Sequence, residues 1–219
     1  MEIKRYGEKE FLSADKLYIR ENEIHIWCIR WPEMTDFWKN HEYILSGQEL
    51  EQAGRFRFPE DRMRYIAGKV VVRILLKRYL DMETIDFSVN ELGKPYHKEI
   101  AGKQTVNFNI SHSGEFILEG FAVGMDIGVD VQEMAGCPDY REIAGNFYTA
   151  EEAEDVINEG PELFFQYWAA KEAYVKAIGI GLGRGMDFFS VRNGEITEKG
   201  RKGQGWHLYP VKIEGYAAY

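Results

Sequence analysis

Thr105-Val-Asn-Phe-Asn-Ile-Ser-His-Ser-Gly114, Glu115-Phe-Ile-Leu-Glu-Gly-Phe-Ala-Val-Gly124 and Met125-Asp-Ile-Gly-Val-Asp-Val-Gln-Glu-Met134 follow one another without a break, and the rest of the chain has to be arranged around them. The first two read as short apolar strands that end in small and polar residues. Ile110 closes the first, and Ser111-His112-Ser113-Gly114 then supplies two hydroxyls, an imidazole and a flexible glycine within four residues. In the third, Met125, Ile127, Val129 and Val131 alternate with Asp126, Gly128, Asp130 and Gln132. That alternation predicts a strand over 125–132 with one packed and one polar face. Residues two apart on such a face stand ~7 Å from each other at ~3.4 Å of rise per residue, close enough to share one metal ion.

Composition bounds what these strands can belong to. A chain of 219 residues makes one large domain or two of about 110. With 45% hydrophobic and 14% aromatic residues it can bury a real core. A net charge of −9 argues against nonspecific nucleic-acid binding. Cys28 and Cys137 are too few and too far apart for a disulfide framework or a zinc site, which fits a reduced, cytoplasmic setting. The start, Met1-Glu-Ile-Lys-Arg-Tyr6, lacks a signal peptide's apolar core, and no uncharged apolar run approaches the ~18 residues of a membrane span. A soluble protein is expected.

Working back from residue 105, Asn90-Glu-Leu-Gly-Lys-Pro-Tyr96 is a turn signal that holds Lys94 between Gly93 and Pro95. A strand over 84–89 precedes it. A lysine fixed in such a turn could contact phosphate, although most are simply exposed. Residues 60–80 predict a long helix, with Met63, Ile66, Val70, Ile74 and Leu75 as its apolar stripe. Between Arg55 and Arg78 lie eight basic residues against only Glu60 and Asp61. They form either a solvated face balancing acidic neighbours or an anchor for a ligand carrying several phosphates. Ser46-Gly-Gln-Glu49 has the form of a capping box that opens a short helix to about Ala53. Glu23-Ile-His-Ile-Trp-Cys-Ile-Arg30 alternates as a strand, with His25 as a surface or half-buried position.

Working forward, Thr149-Ala-Glu-Glu152 is a second capping box, for a helix to about Ile157. Gly160-Pro161 ends it and starts a strong helix over 162–178. On that helix Leu163, Phe164, Tyr167, Ala170, Tyr174 and Ile178 form the apolar face, and Phe165, Trp168, Glu172 and Lys176 form a mixed stripe. Glu172 and Lys176 are spaced for a helical ion pair. The glycine-rich segment 179–185 follows a helix instead of preceding one, so it is not a P-loop. Residues 187–192 and 205–213 read as closing strands, with Asn193-Gly194 as a hairpin turn. The chain stops within a further strand, Gly215-Tyr-Ala-Ala-Tyr219, as a trimmed C-terminus would. Strand, long helix and further strands thus occur twice. The fold expected is α+β, with two similar α/β halves, 1–122 and 123–219, packed as a pseudo-two-fold dimer.

A basic segment, a Ser-His turn, and an Asp-x-Gln strand with Glu172 and Lys176 to face it call for one explanation. Mg²⁺ takes one or two carboxylates and leaves its other positions to water and substrate phosphates. Two carboxylates from distant segments, flanked by lysine and histidine, are the parts that phosphoryl transfer uses for positioning and charge neutralisation. His112 and Ser113 are neighbours on extended chain and diverge, unlike a serine-hydrolase pair. The five histidines show no metal-ligand spacing.

Ile110-Ser-His-Ser-Gly114, Ile127-Gly-Val-Asp-Val-Gln132 and Trp168-Ala-Ala-Lys-Glu-Ala-Tyr-Val-Lys176 together resemble the three signature blocks of the 4′-phosphopantetheinyl transferases. The length and doubled plan resemble the surfactin-synthetase-activating type. Arg55-Phe56, Gly93-Lys-Pro95, the stretch 147–152 and Asp187-Phe-Phe-Ser-Val191 add to the match, which covers roughly residues 45–215. The resemblance implies a monomer with an active site between its halves. It would bind coenzyme A and Mg²⁺ (or Mn²⁺) and move the phosphopantetheine arm to a serine of an apo acyl or peptidyl carrier protein.

By the same resemblance Asp130, Gln132 and Glu172 bind the metal. Lys94, Ser111 and His112 hold the phosphates of coenzyme A, with Arg55 and Arg64 as further contacts. Lys176 neutralises the departing 3′,5′-ADP, and Glu152 or Glu172 takes the serine proton. Two positions depart from the pattern: Gln132 replaces a glutamate common in this type, and Gln52 stands where a base helping to hold the 3′-phosphate is expected. Two other functions share these parts. One is a Mg²⁺-dependent coenzyme A or nucleotide diphosphate hydrolase, and the other a noncatalytic carrier-binding module.

Overall fold

A computed structural model describes residues 1–85, 87–89, 95–97, 105–181, 185–198, 201–202 and 205–219. The chain divides into two compact units, the first ending at Ile127 and the second taking in Gly128–Tyr219.

In the first unit, β1 (Glu2–Tyr6), α1 (Glu8–Ser13) and β2 (Glu23–Arg30) precede three helices, α2 (Thr35–Asn40), α3 (Gly47–Gly54) and α4 (Pro59–Leu80). The short strands β3 (Phe87–Val89) and β4 (Pro95–His97) and the long hairpin β5 (Val106–Ser113) and β6 (Phe116–Val123) complete it. Four strands pair in the order β1-β2-β6-β5, parallel only between β1 and β2. Period-two alternation turns Trp27, Ile29, Ile117 and Phe121 into one core with Ile66, Val70 and Leu75 of α4. The capping box at Ser46 forms as read, with the Ser46 backbone N–H donating to Glu49 at 2.9 Å. His25 is not a surface residue. It is 1% exposed, its Nδ1 lies 2.7 Å from the Tyr79 hydroxyl, and that hydroxyl accepts from Trp27 Nε1 at 3.0 Å.

The face of β6 that meets this core carries Glu119, 0% exposed, with no hydrogen-bond partner for either carboxyl oxygen among the described residues. Burial pushes its acid well above the ordinary carboxylate range, opposed only by Lys69. An unmet buried carboxyl costs ~1–3 kcal/mol, so Glu119→Met should stabilise the protein by about that amount in urea unfolding. The folded state holds this proton more tightly than the unfolded chain does. Ionisation therefore erodes wild-type stability as pH rises above about 4.5, and the gap between variant and wild type should widen over the same range. A gap that is flat with pH would show that the carboxyl is solvated.

In the second unit, β7 (Val131–Glu133) precedes α5 (Tyr140–Phe147), α6 (Ala150–Glu159) and α7 (Pro161–Ile178). The short strands β8 (Phe189–Ser190), β9 (Thr197–Glu198), β10 (Arg201–Lys202) and β11 (Tyr216–Ala218) follow. β7 pairs with β11, and β8, β9 and β10 form a separate ribbon. Helix α7 is apolar on most of its surface, as a central helix must be. Phe164, Phe165 and Ala169 pack with Tyr148 and Val156, and Ala170, Tyr174 and Val175 pack with Met186, Phe189 and Ile196. The α+β class and the repeated order of strand, helices, long helix and strands are both present.

Several strand boundaries differ from the sequence reading. β5 continues through Ser113, so Ser111 and His112 sit on the strand and not beyond its end. Residues 205–213 form no strand beyond a bridge from Ile213 to Tyr216. The expected strand over 125–132 pairs with β11 only from Asp130 on, and at Gly128 the chain lies against α7 instead of beside another strand. A Cβ added at Gly128 would lie 2.1 Å from the Ala173 carbonyl oxygen and 2.4 Å from the Ala177 nitrogen. Both are backbone atoms that cannot rotate away. Gly128→Ala should therefore cost about 2–3 kcal/mol, read as a lowered midpoint in thermal unfolding; an unchanged midpoint would show that the segment can move off the helix. Among the described residues, no helix is long and apolar enough to cross a membrane.

Candidate functional site

Asp130 is set by the backbone. Its N–H donates to the Tyr219 carbonyl and its carbonyl accepts from the Tyr219 N–H, both at 2.9 Å, which extends the β7–β11 ladder by one residue. Its carboxylate, 5% exposed, meets Lys176 Nζ of α7 at 2.6 Å. Lys176, spaced along the helix to pair with Glu172, thus reaches out of α7 to Asp130 and also donates to the Val129 carbonyl at 3.3 Å. Glu172, one turn back, is 6% exposed. Burial first and the charge of Asp130 second push its acid up to about 7, against the pull of Lys176. Gln132 is half-buried two residues beyond Asp130, on the same side of an extended chain.

Two buried carboxyls, one felt by the other and relieved by a lysine, make a pocket of negative charge that a cation would settle. Among the described residues no group of three or more His, Cys, Asp or Glu side chains gathers to hold a metal. Two carboxylates with a neutral amide oxygen nevertheless fit a Mg²⁺ ion that keeps most of its own water.

Glu152 stands apart from this group. It is 0% exposed and accepts from the Val191 N–H at 2.7 Å, from the Thr149 N–H at 3.1 Å and from the Lys171 ammonium at 2.7 Å. Lys171, equally buried, also donates to the Met186 and Phe189 carbonyls. An acid enclosed and engaged in this way anchors α6. The sequence reading passed over Lys171, whose signal was a lone lysine among Ala169, Ala170 and Ala173.

The first unit holds Arg55, Arg64, Ser111 and His112 of the expected phosphate contacts. Arg64 and Gly68 lie one turn apart on α4, along the 110–114 stretch of β5 and its turn. Arg64 donates to the Gly114 carbonyl at 3.1 Å and pairs with Asp61. A Cβ on Gly68 would touch Ile110 Cδ1 at 3.1 Å and His112 Cδ2 at 3.9 Å, so the absent side chain lets helix and strand close up. Ser111 is buried and His112 exposed. Arg55 is exposed and pairs with Glu51 at 2.7 Å. Lys94 lies outside the described residues. Much of the basic segment is engaged within its own unit: Arg62 with Glu42, Arg73 with Glu49, and Arg78 with the Phe11 carbonyl.

Residues 126–218 match the family model described as the 4′-phosphopantetheinyl transferase superfamily, and residues 29–120 match the N-terminal model of the 4′-phosphopantetheinyl transferases. HetI of Nostoc sp., named a 4′-phosphopantetheinyl transferase, is 31% identical over 175 residues, covering 77% of this chain and 73% of HetI. The chain belongs to the 4′-phosphopantetheinyl transferase family. Sfp of Bacillus subtilis is 34% identical over 155 residues, covering 68% of this chain and 66% of Sfp. A Synechocystis sp. protein bearing the same family name is 34% identical over 155 residues, covering 67% of this chain and 62% of its own length. The matches thus span about two thirds of these transferases. Each half of the chain has its own phosphopantetheinyl transferase model, in keeping with the doubled order of elements. The 110–114 block falls in the first unit and the 168–176 block in the second.

Proposed function

We propose that the chain transfers the 4′-phosphopantetheine arm of coenzyme A to a serine of an apo acyl or peptidyl carrier protein. The serine Oγ–P bond forms, the diphosphate P–O bond breaks, and 3′,5′-ADP leaves. The observation that carries this reading is the Asp130–Glu172–Lys176 group in a chain of this family. Asp130 and Glu172, with Gln132 as a neutral third oxygen, would hold Mg²⁺ (or Mn²⁺). Bound there, the ion supplies charge neutralisation at the diphosphate.

The proton of the serine hydroxyl goes to Glu172, directly or through a water. Lys176, already engaged with a carboxylate, offers its charge to the departing phosphate. Arg64, Ser111 and His112, with Arg55 and Lys94, bind and orient the phosphates of coenzyme A. Glu152 positions α6 and takes no proton. In the same reading the protein works as a monomer in the cytoplasm, where Cys28 and Cys137 stay free thiols.

Incubation with apo carrier, coenzyme A and Mg²⁺, read by intact mass, tests the proposal. A carrier heavier by the phosphopantetheine arm is the expected product. Coenzyme A cleaved with no carrier present would make the protein a hydrolase instead. Coenzyme A bound, with no mass gain on any of a panel of fatty-acid, polyketide and peptide-synthetase carriers, would make it a binding module.

A further inference from the structure

The oxygens proposed to hold the cation come from two elements of the second unit, Asp130 and Gln132 from the segment around β7 and Glu172 from α7. A site shared in this way is only as exact as the link between its elements, since such groups must be held to within ~0.5 Å. Around β7 the link is β11. Glu133, Gln132 and Val131 pair with Tyr216, Ala217 and Ala218. Tyr219 carries the ladder past β7 to Asp130 itself. Its carbonyl accepts from the Asp130 N–H and its N–H donates to the Asp130 carbonyl, both at 2.9 Å.

The side chain of Tyr219 makes a second attachment. Directly opposed residues of a ladder project to the same side of the sheet, so Tyr219 and Ala217 share a face with Asp130 and Gln132. Ala217 is fully buried against Phe164, Phe165 and Ala169, which makes this the face that meets α7. The Tyr219 ring packs against the same cluster and against the neighbouring one around Ala170 and Tyr174. Its hydroxyl donates to Gln166 Oε1 of α7 at 3.3 Å. One residue is thus tied by its backbone to Asp130 and by its side chain to the helix that carries Glu172 and Lys176.

We infer that Tyr219 is a positioning residue of the cation site, a clamp between strand and helix that fixes Asp130 relative to Glu172. The inference rests on the reading above that these two carboxylates share a divalent ion. The clamp is carried by the hydrogen bonds. Partners that orient a ligand without touching the metal are each worth about 10–100-fold in metal affinity or activity.

Titration of the full chain with Mn²⁺, which suits the same oxygen ligands, tests it, read by the paramagnetic resonance signal of the free ion. Tyr219→Pro removes both the ring and the N–H that donates to Asp130, and should weaken Mn²⁺ binding about tenfold or more. Tyr219→Phe removes only the hydroxyl and should weaken it about threefold. Gln166→Leu removes the acceptor and should match Tyr219→Phe, with the double variant no weaker than either alone. Each titration runs well below the unfolding midpoint, because a role confined to stability moves that midpoint and leaves the binding constant alone. In Tyr219→Phe the Mg²⁺ needed for half-maximal carrier modification should also rise about threefold, while the rate at saturating Mg²⁺ is largely recovered. A folded Tyr219→Pro that binds Mn²⁺ within about twofold of the wild type overturns the inference and leaves the cation reading standing. Where the proline variant does not fold, an unchanged constant in Tyr219→Phe overturns it in the same way. A wild type that binds no Mn²⁺, with or without coenzyme A, or that binds it as tightly after Asp130→Asn, removes the cation reading and the inference with it.

Discussion

Glu172→Gln should abolish carrier modification, lowering kcat/KM by about 10³-fold or more, the scale expected when a proton acceptor and a site charge are lost together. Glutamine has the same shape and keeps the hydrogen-bonding reach, so what disappears is the basicity and the negative charge. The protein itself should not suffer. Burial and the charge of Asp130 both disfavour the ionised form of Glu172, so replacing it with a neutral amide removes a repulsion from the folded state. Its thermal midpoint without divalent cation should equal or exceed that of the wild type. Two measurements on one preparation decide the matter: intact mass of the carrier after incubation, and a thermal unfolding scan. Normal turnover by a folded variant would refute the role. Lost turnover with a collapsed midpoint would show instead that Glu172 is structural.

The long helices were legible because each has a start signal, a stop signal and a face. Pro59 and Pro161 stand at first-turn positions, and the Ser46 and Thr149 boxes close as their spacing demands. Strand limits were less legible. Alternation at 125–132 records which side chains are packed, not whether the backbone has a pairing partner. Here the packing partner is α7, met so closely at Gly128 that no side chain fits.

The site divides along the same line. Asp130, Glu172 and Lys176 come together because sequence blocks mark residue types. The pairing of Lys176 with Asp130 instead of Glu172 depends on where residues 128–130 lie along α7, which no helical spacing encodes. The basic segment 55–78 shows the limit most clearly. Counting charges gives a strong anchor for anions, yet Arg62, Arg64 and Arg73 each meet a carboxylate of their own unit. Glu42 and Glu49 are distant from their arginines in sequence and are brought to them only by the packing of α3 and its neighbours on α4.

Glu152→Ala should be the most destabilising single change in the second unit, costing about 3–5 kcal/mol, the range for breaking a buried ion pair from one side. Lys171 would remain inside, 0% exposed, with its charge facing the Met186 and Phe189 carbonyls and the Phe189 and Tyr148 rings but no paired carboxylate. The Val191 N–H would lose its acceptor, and the Thr149 cap would lose the side chain that reaches back to it. Glu152→Gln separates charge from hydrogen bonding. The amide oxygen can still accept from Val191 and Thr149, but the ammonium stays unneutralised, so most of the loss should persist. Combining Glu152→Gln with Lys171→Met removes that stranded charge and should recover much of the stability, because a neutral pair of similar volume avoids the desolvation of two ions. Urea unfolding of the four proteins gives the coupling directly. The same series separates anchoring from acid–base work. If Glu152 only anchors α6, Glu152→Gln assayed well below its unfolding midpoint keeps most of its carrier-modifying rate. A fall as deep as that of Glu172→Gln, at unchanged stability, would return Glu152 to the role of proton acceptor.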